Sequence, residues 1–478
     1  MFSENKSFKS FLAGIVFAVF IYILNPIHFE TKANTVLAIA CLMVFLWISE
    51  ALPMATTAML PIILFPLFNI LPIKDTAKSY GDPIIFLFMG GFFLGLAIEK
   101  WNLHKRIALN IIHKTGTNGN KIILGFILAT GSLSMWLSNT ATTMMLFPIA
   151  MSVIHVMQEN NKNGNIKNFS ITLMLAIAYA SNLGGIATII GTPPNVAYVG
   201  FIKEHLAIEI PFVKWMLLCM PLSIVLLMTL YFVMVKIMYL NKIKSDIKTE
   251  NYIYEEVKKL GKISVPEKRV LMIFGFTAFL WIFQSLLNKL LPIKLDDTIV
   301  AMICAILLFV IPSGNENQEI LKWKDTHAMP WGILILFGGG LALAKGLETV
   351  GIIQLLGNSV AEIAPQNIFL LILLVTTISV FISELLSNVA QVIIFAPVVT
   401  SIAISMHVHP LLLGIPMTLG ASCAGMLPMG TPPNAIAFSS GKIELKDMLK
   451  TGFVMNIISI LLITIFCYFM LPLLGLIK

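Results

Sequence analysis

The stretch 122–156 reads IILGFILATGSLSMWLSNTATTMMLFPIAMSVIHV. It is apolar over more than one straight membrane crossing, which takes roughly 20 residues. Its middle carries the polar pair Ser138-Asn139. The stretch 368–406, IFLLILLVTTISVFISELLSNVAQVIIFAPVVTSIAISM, has the same form, with Ser387-Asn388 at its middle. An over-long apolar run with a polar centre predicts a re-entrant hairpin. The chain enters the membrane, turns at the polar tip and leaves on the same side. Irregular backbone at that depth is tolerated only where it is buried in protein or faces a cavity.

Two further apolar runs, 170–206 and 409–440, are interrupted differently. Each carries Gly-Thr-Pro-Pro-Asn, at 191–195 and 430–434. Two successive prolines remove two amide donors and cannot continue an upstream helix. These runs are expected to be helices split mid-membrane by a loop.

The composition agrees. The 478 residues are 58% hydrophobic and 12% charged, against about a quarter charged in a soluble protein. Too little polar surface is available to coat a globule, so the bilayer must solvate most of the chain. The remaining apolar runs, near 11–25, 35–52, 54–70, 84–100, 212–240, 269–288, 297–312, 329–350 and 452–475, suit single crossings. With the two split runs, and with the hairpins counted as non-crossing, about eleven transmembrane helices are expected in an all-α polytopic membrane protein. Lys6 and Lys9 before the apolar stretch Phe11–Leu24 resemble a signal peptide, but no small-residue cleavage site follows. Residues 1–30 are therefore read as a retained first helix. The five cysteines show no disulfide or metal spacing.

The net charge of +8 is a topology signal, not a nucleic-acid patch. With the N-terminus in the cytoplasm, most of the 32 Lys and Arg residues fall in cytoplasmic loops, as the positive-inside rule requires. An odd number of crossings then puts the C-terminus outside. The polar stretch 241–268 is expected to be a cytoplasmic linker between a first half, 31–240, and a second, 269–478.

The halves repeat. Gly90-Gly91 matches Gly339-Gly340, Glu99 matches Glu348, and Ser138-Asn139 matches Ser387-Asn388, each pair 249 residues apart. The Gly-Thr-Pro-Pro-Asn strings are 239 apart. By the count of crossings, the hairpin within 122–156 opens to the cytoplasm and that within 368–406 to the outside. Inverted-topology repeats with helices broken at the midplane are the signature of a secondary transporter.

A Ser-Asn tip offers hydroxyl and amide donors and acceptors. The adjoining helix N-termini present free N–H groups and positive dipole ends, which suit an anion. Carbonyls freed by the Pro-Pro break, with the Asn side-chain oxygen, suit Na⁺. Each half can thus form one cation site, and both together face one anion. Only two arginines exist, Arg106 and Arg269, both at expected cytoplasmic helix ends, and the histidines lie near segment ends. A midplane anion held by neutral groups needs countercharge from co-bound cations, because uncompensated charge in the membrane is expensive.

The paired tips, the paired Gly-Thr-Pro-Pro-Asn loops and the string Trp47-Ile-Ser-Glu-Ala-Leu-Pro-Met-Ala-Thr-Thr-Ala-Met-Leu-Pro61 resemble the divalent anion/sodium symporter family over essentially the whole chain. The resemblance implies a homodimer in the cell inner membrane, each protomer with a scaffold and a mobile transport domain working as an elevator. It implies Na⁺-coupled carriage of a C4 dicarboxylate (succinate, fumarate or malate). The alternatives are Na⁺-independent exchange with 2-oxoglutarate, or carriage of citrate or sulfate. By motif, one sodium site would use Ser134, Asn139 and the carbonyl of Gly191, and the other Ser383, Asn388 and Gly430. Substrate would meet Ser138, Asn139, Thr140, Ser387 and Asn388, with Thr192, Pro193, Thr431 and Pro432 lining the site. Val389 departs from the pattern where many bacterial relatives have Thr.

Glu384 has two readings: a satisfied polar contact, or a charge that tunes the nearby cation site. An enzyme is not expected. Gly420-Ala-Ser-Cys-Ala424 misses a nucleophile elbow by its last residue, and no phosphate loop or His-Glu-x-x-His occurs.

Overall fold

The computed structural model describes residues 6–25, 30–160, 166–241, 243, 247–290, 292, 294–314 and 318–477. Among them there is no β-strand beyond one isolated bridge, Pro312 to Glu319. Helices α1 (Lys6–Leu24) and α2 (Thr31–Ser49) pack on each other. The run 54–70, expected as one crossing, is instead cut into α3 (Met54–Thr57) and α4 (Leu60–Leu67), followed by α5 (Ile73–Ser79). Pro53, Pro61 and Pro66 withhold amide donors and break up the run. Helix α6 (Pro83–Lys100) starts cleanly because the Asp82 carboxylate accepts the Ile84 N–H at 2.8 Å and Pro83 has no donor to leave orphaned. Helix α7 (Leu103–Thr115) follows.

Each expected hairpin is two helices around a short turn: α8 (Gly119–Ser134) with α9 (Asn139–Asn160). After α9 come the split pair α10 (Ile166–Gly185) and α11 (Pro193–Leu206), then α12 (Phe212–Phe232). The stretch 241–268 is more than a linker. It holds α13 (Ile247–Lys259), and α14 (Val265–Leu290) already begins within it. Lys242, Lys244 and Asp246 of that stretch lie outside the described residues. The second half continues with α15 (Asp297–Val310), α16 (Trp331–Thr349) and α17 (Ile352–Ile363). The second hairpin is α18 (Ile368–Ser383) with α19 (Asn388–Ser405), the second split pair α20 (Leu411–Ala421) with α21 (Pro432–Ser439), and the last helix α22 (Leu445–Leu473).

Nine helices among the described residues are long and apolar enough to cross a membrane, or ten if α17 and α18, bent by 119°, form one span. The nine include the hairpin arms α9 and α19. The eleven crossings read from sequence also draw on the shorter apolar helices Met54–Leu67 and Asp297–Val310 and on the two split pairs.

The same neighbours recur in both halves. Helix α10 packs on α8, α9 and α12, as α20 packs on α18, α19 and α22. Across the halves, α9 and α10 meet α21, as α19 and α20 meet α11. Helix α10 is buried from Phe169 to Gly185. It comes so close to α8 that a Cβ on Gly184 would overlap the Gly131 carbonyl.

Near helix ends, two sets of contacts join remote segments. One joins Lys100 to Asp325 (2.6 Å), Arg106 to Glu267 (2.7 Å), Gly119 N–H to Ile243 O (3.2 Å) and Lys167 to Glu444 (3.0 Å). The other joins His205 to Glu348 (3.4 Å), Tyr198 to Pro410 O (3.4 Å), Phe212 N–H to Asp297 (2.9 Å) and Lys214 to Gly475 O (3.4 Å).

Candidate functional site: two serine-asparagine tips and two broken helices

Both hairpins start from the same device. Asn118 caps α8 by accepting the Lys121 N–H at 2.8 Å, and Asn367 caps α18 by accepting the Leu370 N–H at 3.2 Å. These residues again differ by 249 in number. At the first tip α8 ends at Ser134 and α9 begins at Asn139, with the Ser138 hydroxyl accepting the Ala141 N–H at 3.2 Å. The buried Ser134 Oγ lies 2.6 Å from Asn139 Oδ1 and 2.7 Å from the Ser181 carbonyl. A hydroxyl carries one proton, so one of these two close oxygen contacts has no proton to hold it.

The second tip repeats this. Ser383 Oγ lies 2.7 Å from Asn388 Oδ1 and also contacts the Ala421 carbonyl. The two remaining expected cation ligands are close by. A Cβ on Gly191 would press on the carbonyls of Gly185, Met135 and Ser134, and one on Gly430 would sit 3.3 Å from the Glu384 Oε2. Ser134, Asn139 and Gly191 are therefore gathered at the C-terminal end of α8, and Ser383, Asn388 and Gly430 at that of α18. Helix C-termini present partial negative charge and free carbonyls.

The last residue of each Gly-Thr-Pro-Pro-Asn string braces its own loop. Asn195 Nδ2 donates to Thr188 O at 2.8 Å, and Asn434 Nδ2 to Leu427 O at 3.2 Å and Ala424 O at 3.3 Å. The tip residues expected to meet substrate, Ser138, Asn139, Thr140, Ser387, Asn388 and Val389, are all half-buried, unlike the sealed Ser134 and Ser383. Thr192 and Thr431 are buried, Pro193 is half-buried and Pro432 is exposed. Asn139 Nδ2 donates to Asn182 Oδ1 at 3.4 Å, and Asn182 Nδ2 donates to Thr431 Oγ1 at 3.1 Å. The first tip is thereby tied to the second loop. The two tips share no direct hydrogen bond among the described residues.

Residues 4–477 match the sequence family described as the sodium:sulfate symporter transmembrane region. The chain belongs to this family. A Staphylococcus saprophyticus protein named sodium-dependent dicarboxylate transporter SdcS is 40% identical over 492 residues, spanning 98% of this chain and 94% of that one. A Staphylococcus aureus protein of the same name is 39% identical over 488 residues, with the same coverage. Membership of a symporter family makes the chain a membrane transporter and not an enzyme.

In this member of the sodium:sulfate symporter family the Ser-Asn pairs and the Gly-Thr-Pro-Pro-Asn strings are neutral groups, and neither arginine joins them. Arg106 is committed to Glu267 and the Gly261 carbonyl, and Arg269 to the Pro312 carbonyl. No cluster of three His, Cys, Asp or Glu side chains able to hold a metal occurs among the described residues. Hydroxyl, amide and carbonyl oxygens suit a hard cation, not a thiolate- or imidazole-bound metal. Glu384 is buried, and its oxygens accept from the Gly425, Met426 and Leu427 N–H groups and from Asn456 Nδ2. Sequence reading missed Ser181, Asn182 and Asn456. They lie in uninterrupted helices, where nothing local separates a bridging side chain from ordinary helix–helix contact.

Proposed function

We propose that this chain couples the downhill entry of Na⁺ to uptake of a C4 dicarboxylate such as succinate, fumarate or malate. The carrying observation is the pair of serine hydroxyls, Ser134 and Ser383, each pressed against two acceptor oxygens. A cation at each point satisfies the oxygens that a single proton cannot. Half-helix C-termini and unwound carbonyls are the usual Na⁺ ligands of such carriers. The half-buried tip groups and the N-termini of α9, α11 and α19 face the dianion, and the bound cations supply its countercharge. The names of the staphylococcal relatives support the same substrate and ion.

The mechanism is alternating access of the elevator type. Residues 119–167 begin and end in the contact group of Lys100, and the chain between Glu348 and Pro410 begins and ends in the group of His205. This supports two re-entrant hairpins of opposite orientation and hence inverted repeats. The Lys100 group holds most basic loops, which supports a cytoplasmic N-terminus and an external C-terminus in the inner membrane. An apolar seam lined by Ile84, Ala197, Phe201, Phe337, Gly340 and Ile393 separates α6 and α16 from α11 and α19. The ion pair of His205 with Glu348 at 3.4 Å crosses from α11 to α16, so a sliding movement would have to break it. Homodimerisation is proposed from the family resemblance alone.

The halves also occupy unequal environments. In the first, Gly95 of α6 packs on Trp136 and Leu137, and Gly91 on Ile190. The matching residues of the second half, Leu385 and Met429, are 70% and 76% exposed. A carrier with paired repeats has one half covered and the other open in each end state. The second tip, in a stretch that begins and ends in the His205 group, is read as pointing toward the Lys100 face, which supports a state open to the cytoplasm.

The test is uptake of labelled succinate by proteoliposomes with and without an inward Na⁺ gradient, then competition by citrate, 2-oxoglutarate and sulfate. Gradient-driven accumulation that succinate outcompetes is expected. Equal rates with choline in place of Na⁺ would favour exchange instead, and stronger competition by citrate or sulfate would reassign the substrate.

A further inference from the structure

The second tip holds a group that the first lacks. Glu384 follows Ser383; at the matching place, 249 residues earlier, stands Met135. Glu384 is 4% exposed. Its Oε1 accepts from Asn456 Nδ2 at 2.7 Å and from the N–H groups of Gly425 at 2.8 Å and Met426 at 2.9 Å. Its Oε2 accepts from the Leu427 N–H at 3.1 Å. All four partners are neutral donors. Among the described residues no Lys, Arg or His pairs with this carboxylate. A buried charge without a counter-ion is strongly disfavoured.

The carboxylate is well placed to find that counter-ion. Oε2 has one donor where Oε1 has three, and it faces Gly430, whose added Cβ would lie 3.3 Å away. Gly430 and Ser383 are the proposed ligands of the second cation. The loop between α20 and α21 is thus held by an anion, with Tyr179 donating to the Gly425 carbonyl at 2.7 Å from the other side. The corresponding first-half loop has only neutral braces: Thr188 to the Met135 carbonyl, Asn195 to Thr188 O, and Trp215 Nε1 to Ile186 O at 3.1 Å.

We propose that Glu384 is a positioning residue that makes the second cation site the tighter of the two. Its charge favours a cation at Gly430 and Ser383, and its bonds to three consecutive N–H groups hold the loop in ligating shape. Cation loading therefore starts in the second half. This rests on the Na⁺-coupled reading above, and the experiment separates the two.

Succinate uptake into proteoliposomes is titrated with Na⁺ for the wild type, Glu384→Gln and Glu384→Asp. Removing the charge should raise the Na⁺ concentration for half-maximal uptake about tenfold. The maximal rate at saturating Na⁺ should stay within about threefold of wild type. Glu384→Asp, which keeps the charge, should lie between the two. A purely structural role would lower the yield of folded protein and the maximal rate while leaving Na⁺ half-saturation in place, and that result overturns the proposal. A wild type indifferent to Na⁺ overturns the coupling itself. If Glu384→Gln does not fold, Na⁺-induced thermal stabilisation, with K⁺ as the ionic-strength control, is compared in Ser134→Ala and Ser383→Ala. The high-affinity phase should survive in Ser134→Ala and vanish in Ser383→Ala. The opposite pattern removes the proposed order of loading.

Discussion

Asn182 Nδ2 donates to Thr431 Oγ1 at 3.1 Å across 249 residues of sequence. A buried helix of the first half thereby holds the broken helix of the second. The same side chain accepts from Asn139 at 3.4 Å, and Thr431 also accepts the Asn434 N–H at 3.3 Å. One side chain thus joins the first Ser-Asn tip to the second half's loop.

Removing the Thr431 hydroxyl should cost about 1–3 kcal/mol, since it leaves a buried Asn182 donor unpaired; removing Asn182 should cost less, because Thr431 keeps the Asn434 N–H. Asn182→Ala and Thr431→Val should each slow succinate uptake, and the double variant should be no worse than the poorer single one. Thermal unfolding and uptake of all three variants measure this. Fully additive losses would show that the two side chains act independently.

Asn139 and Asn388 each place an oxygen at a serine hydroxyl, and each is proposed to offer its amide donor to the substrate. Asn139→Asp and Asn388→Asp keep the oxygen but set a negative charge against a dianion. Both should abolish transport while the protein still elutes as a folded species on size exclusion. Near-normal succinate uptake by either variant contradicts the dual role.

Thr140 and Val389 occupy matching, half-buried places beside the two tips. Val389→Thr is nearly isosteric, and a well-aligned new hydroxyl facing a carboxylate would add about 1.5–3 kcal/mol. It should reorder succinate, citrate and sulfate in competition uptake while the Na⁺ response stays fixed. Thr140→Val should weaken substrate more than cation. A Val389→Thr protein with unchanged selectivity and a shifted Na⁺ response would place residue 389 at the cation instead.

Leu385 is 70% exposed, whereas its counterpart Trp136 packs edge-on against Phe274 at 4.7 Å. In this state Leu385→Cys should react with an impermeant maleimide from the cytoplasmic side, and Trp136→Cys should not. An external excess of Na⁺ and succinate should lower the first rate and let Trp136→Cys react with the same reagent added outside. Equal labelling of both positions under all conditions is incompatible with alternating access.

Burial raises the Asp325 carboxyl, but the Lys100 ammonium at 2.6 Å and the Lys322 N–H at 2.7 Å outweigh this and hold it below the usual aspartate range. A depressed folded value means that the stabilisation is complete above the ordinary aspartate value and is lost as pH falls through the folded one. The melting temperature of Asp325→Asn should therefore trail the wild type by a constant margin from about pH 5 to 8, narrowing only in acid. A margin that changes between neutral and mildly alkaline pH would assign the effect to another group.

The fold class, the two tips, the two breaks and the half-to-half register were legible without coordinates. Each is a local signal: a polar pair inside an over-long apolar run, two adjacent prolines, a fixed numerical offset. The bilayer makes such signals decisive, because backbone polarity must be satisfied within the segment or at a cavity. The proline-cut run after Pro53 and the helix inside 241–268 were not anticipated. Hydropathy alone does not weigh how prolines divide a run, or how an amphipathic helix such as α13 docks on α7. The tertiary structure alone decided three things. They are the Asn182–Thr431 bridge, the nest of N–H groups around Glu384, and the unequal cover of Trp136 and Leu385. All three depend on which distant segments touch. A sequence repeat makes the two halves look alike, whereas long-range packing is what makes them differ.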